Sequence, residues 1–170
     1  NWRMEIISSK DNKKIKEARK LLTKKYRKNS YLIEGFHLLE EALKAGHSIK
    51  QIFVEENKLA KLTAMIGSEK SLTDLSVNLV SKEVLKSLAD SESPQGLIAE
   101  VTKIEEVIDF SAAKFLLLEN VQDPGNVGTM IRTADAAGFS AVILLGETAD
   151  IYSPKVMRSM QGSNFHLPLV

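Results

Sequence analysis

The chain has 170 residues, a formal net charge of +1 and no cysteine. A hydrophobic fraction of 44% beside 26% charged residues is the balance of a globular chain with room for one domain or two small ones. Without cysteine there are no disulfides or thiolate metal sites, which fits a reducing cytoplasm, and no apolar run is long enough to span a bilayer. His37, His47 and His166 share no metal-ligand spacing.

The small net charge hides an asymmetry. Residues 1–28 hold eleven basic and three acidic residues, while the rest of the chain holds twelve basic and nineteen acidic ones. A basic end on a near-neutral protein suits a polyanionic partner; a solvated lysine-rich helix face would leave the same composition. Ser9 or Asp11 can cap a helix running to about Lys25, with Ile15, Ala18, Leu22 and Tyr26 on its buried side. So narrow an apolar stripe suggests an arm laid against the body.

Tyr31–Ile33 reads as a short strand, Phe36–Ala45 as an amphipathic helix stopped by Gly46, and Ile49–Glu55 as a strand. Lys58–Ile66 is helical, Asn78–Val80 extended, Ser81–Ala89 a helix capped by Ser81, and Leu97–Val101 a closing strand. Strands alternating with helices predict a small α/β/α domain over residues 1–101. Residues 102–111 lack a strong period and are expected to be a linker, with a second domain from Ala112 to Val170.

In that second domain the apolar run Phe115–Leu118 predicts a buried parallel strand, stopped by Asp123-Pro124-Gly125-Asn126. Val127, Ile131 and Ala134 recur at helical spacing up to Gly138, a C-terminal capping signal, and Ala141–Leu145 is the next strand. This βαβ unit puts its first loop at the carboxyl end of a strand, where α/β proteins commonly bind ligands. Pro154–Met160 predicts a helix capped by Ser153, and Phe165–Val170 a third strand.

Gly128 and Arg132 are four residues apart and share a helix face, with Asn126 at the helix entrance. Together they could line one concave site in which the glycine leaves room for a ligand beside a phosphate-binding guanidinium. A surface arginine paired with Asp135 or Glu119 is the plainer alternative. A dinucleotide site built on Gly125, Gly128 and Glu147 is a further alternative, although the G-x-G-x-x-G spacing is absent.

Asn126-Val127-Gly128-Thr129-Met130-Ile131-Arg132 followed by TADAAG closely resembles the first motif of the SpoU-type RNA ribose 2′-O-methyltransferases of the SPOUT superfamily. Lys155–Leu169 resembles their second motif. Tyr31–Leu43 and Ser93–Ala99 look like the ribosomal-protein-like RNA-binding domain that precedes the catalytic domain in many members. The resemblance implies a parallel-sheet α/β domain with a trefoil knot, S-adenosylmethionine as cofactor, methyl transfer to a ribose 2′-hydroxyl of structured, often ribosomal, RNA, and homodimers. It implies Arg132 and Asn126 as catalytic residues and Gly146, Gly162, Leu167 and Pro168 as the cofactor region. Lys24, Lys25, Arg27, Lys28, Glu34, Gly35 and Arg158 are the implied RNA contacts. The family's third motif would follow Val170, so the chain is expected to be truncated, with an incomplete knot and cofactor pocket. A non-catalytic RNA-binding protein is the competing expectation.

Overall fold

The computed structural model describes residues 4–67, 74–111 and 114–170. Two compact units divide the chain, one over residues 1–102 and the other over 103–170. Ala112, the expected start of the second domain, lies outside the described residues.

The first unit runs β1 (Ile6–Ile7), α1 (Lys13–Arg19), β2 (Ser30–Glu34), α2 (Phe36–Lys44), β3 (Ile49–Glu55), α3 (Leu59–Ile66), β4 (Val77–Val80), α4 (Lys82–Ser87) and β5 (Leu97–Thr102). The strands are ordered β1-β4-β3-β5-β2, parallel at β1/β4 and β3/β4 and antiparallel at β3/β5 and β2/β5. Side chains alternate across each strand. Leu32, Phe53, Val80 and Ile98 therefore join Ile15, Ala18, Leu21, Val84, Leu85 and Leu88 in one apolar cluster under α1 and α4. On the other side α2 lies against β2 and β5 and buries Phe36, Leu38, Leu39 and Ala42. Cutting any of these buried leucines to alanine would cost about 2–5 kcal/mol.

The expected basic helix is shorter and better anchored than its composition suggests. Asn12, rather than Ser9 or Asp11, caps α1 by accepting from the Lys14 amide. The helix ends at Arg19, and two 3-10 turns follow, Lys20–Leu22 and Lys24–Tyr26. Leu21 takes the buried place expected of Leu22, and Tyr26 is 45% exposed.

The second unit contains β6 (Phe115–Glu119), α5 (Pro124–Ala136), β7 (Ala141–Leu145) and α6 (Pro154–Met160), with β6 and β7 paired in parallel from Phe115/Ala141 to Glu119/Leu145. The expected strand Phe165–Val170 is only partly extended. Ser163–Phe165 forms a 3-10 turn, and pairing with β7 is a single parallel bridge, Val142 to Leu169. It is held by Val142 N–H to Pro168 O and Val170 N–H to Val142 O, both 3.0 Å. Among the described residues no helix is long and apolar enough to cross a membrane.

Candidate functional site

The carboxyl ends of β6 and β7 are tied together by polar groups of their own loops. Asn120, at a left-handed φ of 55°, donates its amide to Leu145 O at 3.1 Å, and its side-chain oxygen accepts the Glu147 amide at 2.7 Å. That side chain occupies the space beside Gly146, where a Cβ would collide with it. The Thr148 hydroxyl stands 3.0 Å from Leu118 O and 2.7 Å from Leu145 O, bracing both strand ends. Gly146, an expected cofactor residue, thus has an internal role in closing this edge.

α5 starts three residues earlier than expected. Asp123 is its N-cap, accepting from the Asn126 amide at 2.8 Å, and Pro124 occupies the first helical position, where no N–H is needed. Asn126 therefore lies in the first turn of the helix, exposed, and not in a preceding loop. Six residues of helix separate it from Arg132, about 9 Å along the axis and roughly 120° around it. The two side chains flank α5 on different sides.

Gly128 does not leave room for a ligand. It is buried, and a Cβ there would collide with the Ser159 side chain and meet the Ser159 backbone carbon at 2.7 Å. Its smallness lets α6 approach α5 closely, and the Ser159 hydroxyl donates to Gly125 O at 3.2 Å across the contact. The dinucleotide alternative needs an accessible glycine backbone here and loses its footing. Arg132 is exposed. Asp135, one of its suggested partners, is instead 2.8 Å from the His166 Nδ1.

Of the remaining expected cofactor residues, Gly162 is buried with φ 90°, Leu167 is buried, and Pro168 offers its carbonyl to Val142. They cluster around the 3-10 turn after α6. In the same turn the side-chain oxygen of Asn164 is buried without a hydrogen-bond partner, a cost of about 1–3 kcal/mol that a bound donor would relieve. Arg158 is half-buried near the end of α6. Nearby in sequence, burial and the Glu106 and Asp150 carboxylates raise the Tyr152 pKa, and the Lys103 ammonium lies 4.2 Å from its ring centroid.

In the first unit, Glu34 and Gly35 act on a loop. The Glu34 carboxylate accepts the Ser91 hydroxyl at 2.5 Å and the Asp90 amide at 3.2 Å. Gly35 has a φ of 97°, favourable only for glycine, and donates its amide to Leu97 O. Together they fix the 90–97 loop, which borders a cleft of about 500 Å³ lined by Lys58, Lys82, Lys86, Ser93 and Gln95. Glu55 and Glu92 also line it, so the lysines hold only a slim excess. These lysines were not legible as a group because Lys58 comes from the turn before α3, while Lys82 and Lys86 lie on α4. Arg27 corrects the expected basic contact set: it is 6% exposed and donates from Nη1 to Leu21 O at 2.9 Å. Its fork fastens the turn that carries Lys24, Lys25 and Lys28, which are themselves exposed.

The chain thus holds two α/β units, one with a basic surface segment and one whose helix α5 carries an exposed arginine. Residues 12–99 match the MRM3-like substrate binding domain, and residues 113–170 match the SpoU rRNA Methylase family. The chain belongs to the SpoU rRNA methylase family, with an MRM3-like substrate-binding domain ahead of its methylase segment. It is 44% identical over 169 residues to the 23S rRNA (guanosine(2553)-2′-O)-methyltransferase RlmP of Bacillus subtilis, covering 98% of this chain and 65% of that protein. It is 32% identical to the human mitochondrial rRNA methyltransferase 3 over 82% of this chain and 34% of that one. The AdoMet-bound rRNA methyltransferase of Sinorhizobium meliloti superposes with a TM-score of 0.82 at 30% identity, over 98% of this chain and 64% of that one. The chain thus spans about two thirds of the length of its bacterial relative.

Proposed function

We propose that the whole protein transfers a methyl group from S-adenosylmethionine to a ribose 2′-hydroxyl of ribosomal RNA. The Bacillus subtilis relative is named for that reaction and the Sinorhizobium meliloti structure for its bound AdoMet. The observation that carries the reading is the exposed Arg132 guanidinium on α5, with the nearby Asp135 engaged by His166. In this reading residues 1–101 hold RNA and 112–170 belong to a knotted methylase domain that works as a homodimer in the cytoplasm.

When bound, the cofactor supplies an electrophilic methyl group. The residues that would hold its adenosyl portion are those of the Gly162–Pro168 turn, where Leu167 would offer apolar contact and the unpartnered Asn164 oxygen an acceptor. A ribose hydroxyl is a weak nucleophile, so its orientation and its proton are what the protein must manage. Arginine stays protonated in proteins and is poorly suited to take that proton. Arg132 instead holds the adjacent phosphate through charge-assisted hydrogen bonds and stabilises negative charge developing on the 2′-oxygen. Asn126 lies too far around α5 to support the arginine directly, which leaves the ribose as its partner. Arg158 extends the phosphate contacts from α6.

Arg132→Ala in the whole protein should lower methyl transfer about 10²–10³-fold, the scale of losing one oxyanion-stabilising donor. Cofactor binding, followed by calorimetry, should persist. Near-normal turnover would overturn the assignment.

A further inference from the structure

On the α1 face of the first unit, a pocket of about 290 Å³ has a carboxylate at its floor. Glu100 is 4% exposed, yet it occupies a sheet position whose neighbours on the same face, Leu32 and Ile98, are core residues. Burying a carboxylate at the end of an apolar cluster is costly unless it is paired and hydrogen-bonded. Here the Ser30 hydroxyl donates to Oε2 at 2.6 Å, the Gln51 amide to Oε1 at 2.8 Å, and the Lys50 ammonium stands 3.4 Å from Oε2.

A carboxylate offers about four acceptor sites. Two contacts come from the pocket's inner groups. The third comes from Lys50, whose side chain is 65% exposed and can swing away. The rim has a different chemistry. Tyr26 projects an exposed ring, with the Lys25 ammonium 5.0 Å and the Lys20 ammonium 5.9 Å from its centroid. Glu17 also lines the rim and pairs with Lys20 at 3.0 Å, a surface ion pair that a phosphate can displace. An acceptor floor, an aromatic wall and a lysine-rich rim complement one kind of ligand: a flat group with a donor edge attached to phosphates.

We propose that this pocket takes an unpaired guanine of the RNA, its N1–H and N2–H donated to Glu100, its ring stacked on Tyr26, and its flanking phosphates held by Lys20, Lys25 and Lys50. Guanine is the base whose Watson–Crick edge presents two adjacent donors to a carboxylate. Adenine, cytosine and uracil each present one. Unstacked bases read by hydrogen bonds on that edge and by aromatic stacking are the usual basis of sequence-specific RNA recognition. The inference rests on the RNA-binding part of the proposed function and adds a base preference on the unit that does not carry Arg132.

The test uses this chain and a short single-stranded RNA of otherwise uridine composition, carrying at one position guanine, inosine or adenine. Wild type should bind the guanine RNA about tenfold more tightly than the adenine RNA, with inosine between, in keeping with a good bidentate contact. Glu100→Gln exchanges an acceptor for a donor and should remove the preference, so that the guanine and adenine RNAs bind this variant within about twofold of each other. Tyr26→Ala, at a position 45% exposed and outside the apolar cluster, should weaken the guanine RNA about tenfold by loss of stacking, with Tm read alongside. Equal binding of the three RNAs by wild type, or an unchanged preference in both variants, would overturn the pocket and leave the broader RNA reading intact. Absence of any salt-sensitive RNA binding would overturn both.

Discussion

At the scale of single residues, Gly128 separates what spacing shows from what packing shows. The sequence places it one turn from Arg132, and that is correct. Its lack of a side chain serves Ser159 on α6 rather than a ligand, and no pattern local to residues 126–132 could say so. Gly128→Ala should cost about 1–3 kcal/mol by overpacking, read as a lower Tm. Adding Ser159→Gly should recover only part of the loss, because the Ser159 backbone carbon also stands in the way. Full recovery, or no loss at all, would show that α5 and α6 are not held at this closeness. Asn126 and Arg132 were legible as candidate site residues through their spacing and family resemblance, while their exposure on different sides of α5 was not. Arg27 was not: arginine in a lysine-rich run looks like part of the run, and only its hydrogen bond to Leu21 O reveals a structural fastening.

At the scale of elements, the strands and helices with strong periodicity emerge where the sequence puts them, and β3, β7 and α6 match to the residue. The discrepancies have local causes. β1 is two residues long and has no pattern to read; it exists because β4 offers it a parallel edge. Asp-Pro-Gly-Asn reads as a turn, yet Asp123 and Pro124 are also a helix cap and a first helical residue, and here that second meaning prevails. The C-terminus of α2 is closed as the sequence suggests: Gly46 has a φ of 78°, and the His47 amide bonds back to Ala42 O at 3.0 Å. That closure buries His47 enough to push its pKa below the ordinary value of about 6.5. The folded state therefore binds the proton less readily than the unfolded chain does. His47 should contribute its stability above about pH 6.5, and that share should fade as the pH drops below this value toward the folded pKa. In His47→Gln the fall in Tm between about pH 7.5 and pH 5 should be smaller than in wild type. An equal or larger fall would show that other groups carry the acid sensitivity.

At the scale of the whole molecule, the charge asymmetry of the sequence survives folding as a specific surface. Residues 1–28 carry the excess of positive charge, and the turns after α1 present Lys24, Lys25 and Lys28 to solvent while Arg27 holds them from beneath. Phosphate contacts release condensed counterions, so each lysine that truly meets RNA adds to the slope of affinity against salt. Replacing Lys24, Lys25 and Lys28 by glutamine should reduce the slope of log K against log salt by about 2, at roughly 0.7 per single-strand contact. Arg27→Gln should behave in the opposite way, with a lower Tm and a slope close to wild type at temperatures where the chain is folded. A slope unchanged by the triple lysine substitution would move the RNA away from this segment, toward the cleft of Lys58, Lys82 and Lys86. A slope reduced by Arg27→Gln with no loss of Tm would return the arginine to the phosphate-contacting set and remove its part in ordering the turn.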